Sequence, residues 1–171
     1  VSRITSPEAE EPLPTLEGRA WSFGLELSAA QILDESHTGL DPLNARHHLF
    51  ASIDAALAAR LAPDDVIVAE AMTGSADTAR VAVAALAAAG VTALVARVFS
   101  SALVLAARTH GLATVVVDAP SFIRTDDRLR IDLDAAKVVN LSSGDRTPIR
   151  NLDDVGRTIL RTALANRPSS R

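Results

Sequence analysis

The stretch Val66–Gly90 reads VIVAEAMTGSADTARVAVAALAAAG. It opens on a β-branched run, the pattern of a strand buried on both faces. A polar turn, TGSADT, follows and leads into an alanine-rich helix, predicted over Thr78–Ala89 and closed by Gly90. A strand that enters a helix this way sets backbone N–H groups and small hydroxyls at the helix N-terminus, a common place to hold an anion or polarise a substrate. Charge is sparse around it: beyond Glu70 at the strand end there are only Asp77 and Arg80.

The same alternation continues downstream. Strand Val91–Ala96 precedes helix Ser100–Thr109, and Gly111 precedes strand Ala113–Val117. A βαβαβ order implies parallel strands joined by right-handed crossovers, hence an α/β fold. Arg128–Leu133 and Lys137–Leu141 read as two antiparallel strands. A last amphipathic helix, Val155–Asn166, is capped by Asn151 or Asp153 and turns Val155, Ile159 and Leu160 inward. Upstream, Gly18–Gly24 (GRAWSFG) is an opening strand with Trp21 and Phe23 on one face, Leu25–Leu43 is largely loop, and Ala45–Leu61 is helical in pattern. Residues 1–17, with three prolines and a run of acids, are expected to be a mobile tail, and residues 168–171 form a second tail. That leaves one domain over 18–167.

Composition excludes several classes of function. A net charge of −4 offers nothing to nucleic acid or an anionic membrane. With no cysteine, the chain forms no disulfide and supplies no thiolate to catalysis or to an iron–sulfur cluster. The uncharged run Val81–Ala96 is shorter than the roughly 20 residues of a membrane span and is divided by Gly90. The N-terminus has Pro and Glu where a signal peptide is apolar, so a cytoplasmic protein is expected. No dinucleotide fingerprint, Ser-His-Asp order or H-E-x-x-H is present.

The polar residues of the turn each have a structural and a chemical use. Asp77 is a candidate helix N-cap and a candidate general acid or base. Arg80 is placed to clamp a substrate acid or to stand solvated in the first turn. The hydroxyls of Thr73 and Ser75 suit backbone bonding in a turn. His47 and His48 are adjacent, without the spacing that pairs two imidazoles on a metal, so no metal ligand is assigned. His110 closes a helix, where a cation suits the dipole.

Taken in order, several landmarks together resemble a known family. They are Gly18-Arg19-Ala20-Trp21 with Phe23-Gly24, Gln31-Ile32-Leu33, Val66–Ala69 and Gly74. Ala96-Arg97 with Phe99, Gly111-Leu112 and RLRIDLDAAKVV (Arg128–Val139) complete the set. Over Glu17–Asn166 the chain resembles the small subunit of 3-isopropylmalate dehydratase, the swivel domain of the aconitase superfamily. The resemblance implies a swivelling β/β/α domain that closes over a larger subunit carrying a 4Fe–4S cluster. Together the two move a hydroxyl between adjacent carbons of a carboxylic acid.

The chain departs from the family where the chemistry sits. The family's Asp-Thr-Asp element before Gln31 reads Ser28-Ala29-Ala30 here. Its signature Gly-x-Gly-Ser-Ser-Arg-Glu-His-Ala aligns with Gly74-Ser75-Ala76-Asp77-Thr78-Ala79-Arg80-Val81-Ala82. The serine base falls on Asp77, the next serine on Thr78, the carboxylate-binding arginine on Ala79 and the histidine on Val81. A one-residue slip brings in Arg80, but rotates its side chain by about 100°. His37, in the loop after Ser28-Ala29-Ala30, is the histidine that the family arrangement brings within reach of the cleft. The resemblance thus assigns Asp77, Thr78 and His37 to catalysis, and Thr73, Gly74, Ser75, Arg80 and Ser28 to the substrate.

A site that exchanges Arg, His and Asp for Ala and Val favours a less charged, more apolar ligand. The leading expectation is a repurposed, metal-free enzyme performing isomerisation, elimination or cyclisation on a small metabolite. A diverged small subunit still paired with an Fe–S large subunit is the alternative, and a non-catalytic ligand-binding module is the third. A homo-oligomer is the other partner the fold allows.

Overall fold

The computed structural model describes residues 12–167. Residues 1–11 and 168–171 lie outside the described residues, and with them most of both expected tails. The domain itself begins before Gly18. Strand β1 (Thr15–Ser22) starts inside the expected tail, because Leu13 and Leu16 are apolar, buried and needed by the core.

The segment expected to be loop holds β2 (Glu26–Ser28), the single turn α1 (Ala29–Ile32) and the start of α2 (Pro42–Ala45). Ala45–Leu61, read as one helix, is broken: α-helix resumes only in α3 (Leu57–Arg60). Phe50 causes the break. It is fully buried at φ 60, stacks on Phe23 with ring centroids 4.5 Å apart, and its N–H donates to the Ile32 carbonyl at 2.8 Å. Burying the Phe50 ring against Phe23 and making one long-range hydrogen bond outweighs the few tenths of a kcal/mol per residue that helix propensity offers.

The alternating centre follows the sequence closely. It runs β3 (Val66–Val68), β4 (Ala71–Thr73), α4 (Ala76–Ala88), β5 (Ala93–Ala96), β6 (Val98–Phe99), α5 (Ser101–His110) and β7 (Ala113–Val116). The run Val81–Ala96 is the body of α4 followed by β5, and no helix among the described residues is long and apolar enough to cross a membrane. After β7 come the antiparallel strands β8 (Arg128–Asp132) and β9 (Lys137–Asn140), then a strand the sequence did not announce, β10 (Arg146–Pro148), and helix α6 (Asp154–Ala165).

Seven strands form one sheet in the order β10-β9-β8-β1-β3-β5-β7, and β2-β4-β6 form a second. β1, β3, β5 and β7 are parallel, as are β2, β4 and β6. The chain therefore steps three times from the large sheet into the small one: β1 to β2, β3 to β4, β5 to β6. Alternation sends side chains to two cores. Ile67 and Leu94 pack with Trp21, Leu86 and Leu103 under α4 and α5. Val66, Val68, Ala93 and Val95 face Ile123, Leu129, Ile131, Val138 and Leu160.

Two polar anchors hold this frame. Asp65, 2% exposed, accepts at one oxygen from Trp21 Nε1 (2.7 Å), the Ala62 N–H (2.9 Å) and Arg19 (3.2 Å). The Asn151 amide pairs with the backbone of edge strand β7, donating to the Thr114 carbonyl at 2.8 Å and accepting from the Val116 N–H at 3.0 Å. Asp153, not Asn151, caps α6. Val155 is 68% exposed rather than inward. Five residues before Leu160, it stands about 140° round the helix from that buried residue.

Candidate functional site

The small sheet delivers three helices side by side. β2 runs into α1, β4 into α4 and β6 into α5, and a serine caps each: Ser28, Ser75 and Ser100. A serine oxygen accepts an N–H that the first helical turn leaves without a partner. Ser28 forms a capping box with Gln31, and Ser75 forms one with Thr78. Asp77 was a candidate cap, but Ser75 takes that role. α4 begins two residues earlier than Thr78 because the Ser75 side chain and the Thr78 hydroxyl satisfy each other's backbone N–H.

These caps form a continuous ridge. Ser28 and Thr73 are register partners between β2 and β4, and Gly74 follows. A Cβ on Gly74 would come 2.8 Å from that of Ala29, so the residue is small to let α1 approach α4. The Ser100 hydroxyl donates to the Gly74 carbonyl at 3.4 Å, and Thr73 Oγ1 donates to Glu26 at 3.4 Å. Ser28, Thr73, Gly74, Ser75 and Thr78 are thus brought together, and their hydroxyls are engaged by the protein itself.

Asp77 and Arg80 leave the ridge. They line a groove of about 660 Å³ between α4 and α5, walled by Thr38, Leu40 and Pro42. Eight of its thirteen lining residues are apolar: Leu40, Pro42, Ala76, Val81, Ala84, Ala102, Leu105 and Ala106. Its charged or titratable groups are Asp77, Arg80 and His110. Asp77 and Arg80 are exposed, and among the described residues neither makes an ion pair or a side-chain hydrogen bond. Other arginines pair: Arg97 with Glu70 at 2.7 Å and Arg150 with Asp118 at 2.7 Å.

His110 closes α5 before Gly111, as expected, but it also lines the groove and is not the helix-end cation the sequence suggested. Burial, and then the Arg80 guanidinium, push its pKa below the ordinary histidine value, so a neutral imidazole faces the groove. Only the contact between α4 and α5 reveals it; its position before Gly111 pointed to a cap.

His37 is held away from the groove. Its Nδ1 lies 2.8 Å from Asp34, and its ring stacks on His48 with centroids 3.9 Å apart. The Ser36 hydroxyl, followed by His37, holds the Asp34 carboxyl below its usual range. Its neighbour Thr38 reaches the groove wall, but the imidazole itself does not line it. Among the described residues no three His, Asp or Glu side chains converge to hold a metal ion. A 4Fe–4S cluster is held mainly by thiolates, and these 171 residues contain none. The donor set of this chain does not fit that cluster.

Fold and site together define an α/β domain of two stepped sheets that presents a row of helix caps beside one apolar groove. No family model matches the chain. It is 30% identical over 145 residues to 3-isopropylmalate dehydratase small subunit 2 of Archaeoglobus fulgidus, covering 84% of this chain and 87% of that one. It is 28% identical over 130 residues to the 3-isopropylmalate dehydratase small subunit of Nautilia profundicola, at 75% and 78% coverage. A crystal structure of 3-isopropylmalate dehydratase from Methanocaldococcus jannaschii superposes with a TM-score of 0.77 at 25% identity, over 90% of this chain and 95% of that one. The chain belongs to the 3-isopropylmalate dehydratase small-subunit family, and its fold is that of the aconitase-type swivel domain.

Proposed function

We propose that the groove at the head of α4 is the substrate site of an enzyme repurposed for metal-free isomerisation, elimination or cyclisation. Its substrate is a small metabolite less acidic and more apolar than a malate-type dicarboxylate. One observation carries this reading: the groove is mostly apolar and holds one arginine, one carboxylate and one histidine, none in an ion pair or side-chain hydrogen bond among the described residues. A dicarboxylate needs several cationic or N–H donors, and a bidentate arginine is the usual solution for each acid group. Here Asp77 opposes a second negative charge. Asp77 is the proton acceptor, Arg80 binds the polar end of the substrate, and the Ser75–Thr78 box fixes the first turn that carries Asp77. The test is proton exchange. The purified chain alone, in iron-free D2O buffer, is expected to wash deuterium into one or more members of a panel of hydroxy and keto monoacids, their esters and lactones, followed by NMR. Asp77→Asn lowers that rate about 100-fold or more, the scale of general base catalysis. Equal rates in the two proteins overturn the assignment.

A second reading is favoured by other observations. The relatives above are named small subunits, and correspondence with them runs along most of the chain. Leu25, just before β2, and Val98, which opens β6, are 84% and 47% exposed, apolar positions at one end of the small sheet suited to a partner. In this reading the chain is a diverged small subunit whose large partner carries the Fe–S cluster. Anaerobic purification of the tagged chain from its native host retains a larger cysteine-bearing subunit if it holds; a chain that runs alone or only with itself counts against it.

A further inference from the structure

The geometry points to a narrower ligand class for this groove: an aliphatic monocarboxylate, its acid group held by Arg80 with His110 beside it and its chain laid along Val81, Ala84 and Leu105. This rests on reading the groove as the substrate site. Arg80 reaches the groove from α4 and His110 from the last turn of α5, so two nitrogen groups from facing helices share one recess. Neither spends its side chain on another described residue. At about 660 Å³ the groove falls within the usual range for small-molecule sites, and its apolar walls reward burial of a hydrocarbon chain. The charge count sets the valence. Arg80 supplies one positive charge, Asp77 one negative, and His110 is neutral at neutral pH. One carboxylate is matched; a second meets Asp77 with no further cation in the groove.

The same count makes binding pH-dependent. Charged groups on the elements around His110 are Asp77 and Arg80 of α4, Arg108 of α5, Asp154, Arg157 and Arg161 of α6, Arg167 beyond it, and Asp41 beside Pro42; of these Arg80 acts on the imidazole. A bound carboxylate favours the imidazolium, so affinity rises as pH falls through the depressed titration of His110. Calorimetric titration of the full chain with hexanoate, hexan-1-ol and adipate at pH 7.5 and 5.5 tests this. Hexanoate is expected to bind about tenfold or more tighter than either analogue, the scale of one charge-assisted hydrogen bond. Arg80→Gln removes about tenfold of hexanoate affinity. Hexanoate binds several-fold tighter at pH 5.5, and His110→Gln abolishes that gain. Hexan-1-ol equal to hexanoate, adipate tighter than hexanoate, or an inert Arg80→Gln each overturns the proposal. None of these readings uses turnover, so a chain silent in proton exchange that still selects hexanoate leaves the ligand class standing while the catalytic reading falls.

Discussion

Two carboxylate–arginine sets in this molecule use the same chemistry to opposite ends. Asp65, just before β3, is buried and saturated: one oxygen takes the Trp21 indole, a backbone N–H and Arg19, while the Arg19 and Arg60 guanidinium groups lie 4.5 and 5.1 Å from the Trp21 ring centroid. Asp77 and Arg80, three residues apart at the head of α4, are exposed and among the described residues make no such bonds. The first set joins β1 to the entrance of β3. Among the described residues the second joins no elements, and it lines the groove. Satisfied polar groups mark architecture, and unsatisfied ones beside a concave apolar surface mark the place to look for chemistry.

The contrast is broken or sharpened by stability measurements on both sets. Asp65→Ala strands the Trp21 indole and the Arg19 guanidinium, and is expected to cost about 3–5 kcal/mol in denaturant unfolding; a loss below about 1 kcal/mol would make the buried set ornamental. Ser75→Ala removes the cap of α4 and costs about 1 kcal/mol. Arg80→Ala and Asp77→Asn change stability by no more than about 0.5 kcal/mol, and a larger loss in either would show that the groove charges also serve the fold. The smallest effect is a slope with pH. Because burial and Arg80 depress the titration of His110, the unfolded chain binds more protons there just below pH 6.5. Stability therefore falls as pH drops through that window, and His110→Gln flattens that part of the profile.

The parallel core was legible because it needs only local information. Val66–Val68, Ala93–Ala96 and Ala113–Val116 are apolar except for Thr114, are separated by helices of ordinary length, and fall within a residue or two of where the pattern placed them. The same strands hid their step into a second sheet, since β4 and β6 are only three and two residues long and carry no period of their own. The false helix over Ala45–Leu61 came from alanine content, and Phe50 overrode it through partners at Phe23 and Ile32 that sequence distance conceals. For the site, the turn was visible and its division was not. Asp77 as the cap was a reasonable reading of composition, and the reciprocal Ser75–Thr78 bonds displaced it.

The sequence by itself determined the α/β alternation, the family and the polar turn at the head of α4, since periodicity, residue order and small turn residues are properties of neighbours along the chain. Tertiary structure alone decided which polar residues are spent and which are left over. Packing α4 against α5 brought His110 to Arg80, because helix faces meet across distances that no local pattern encodes.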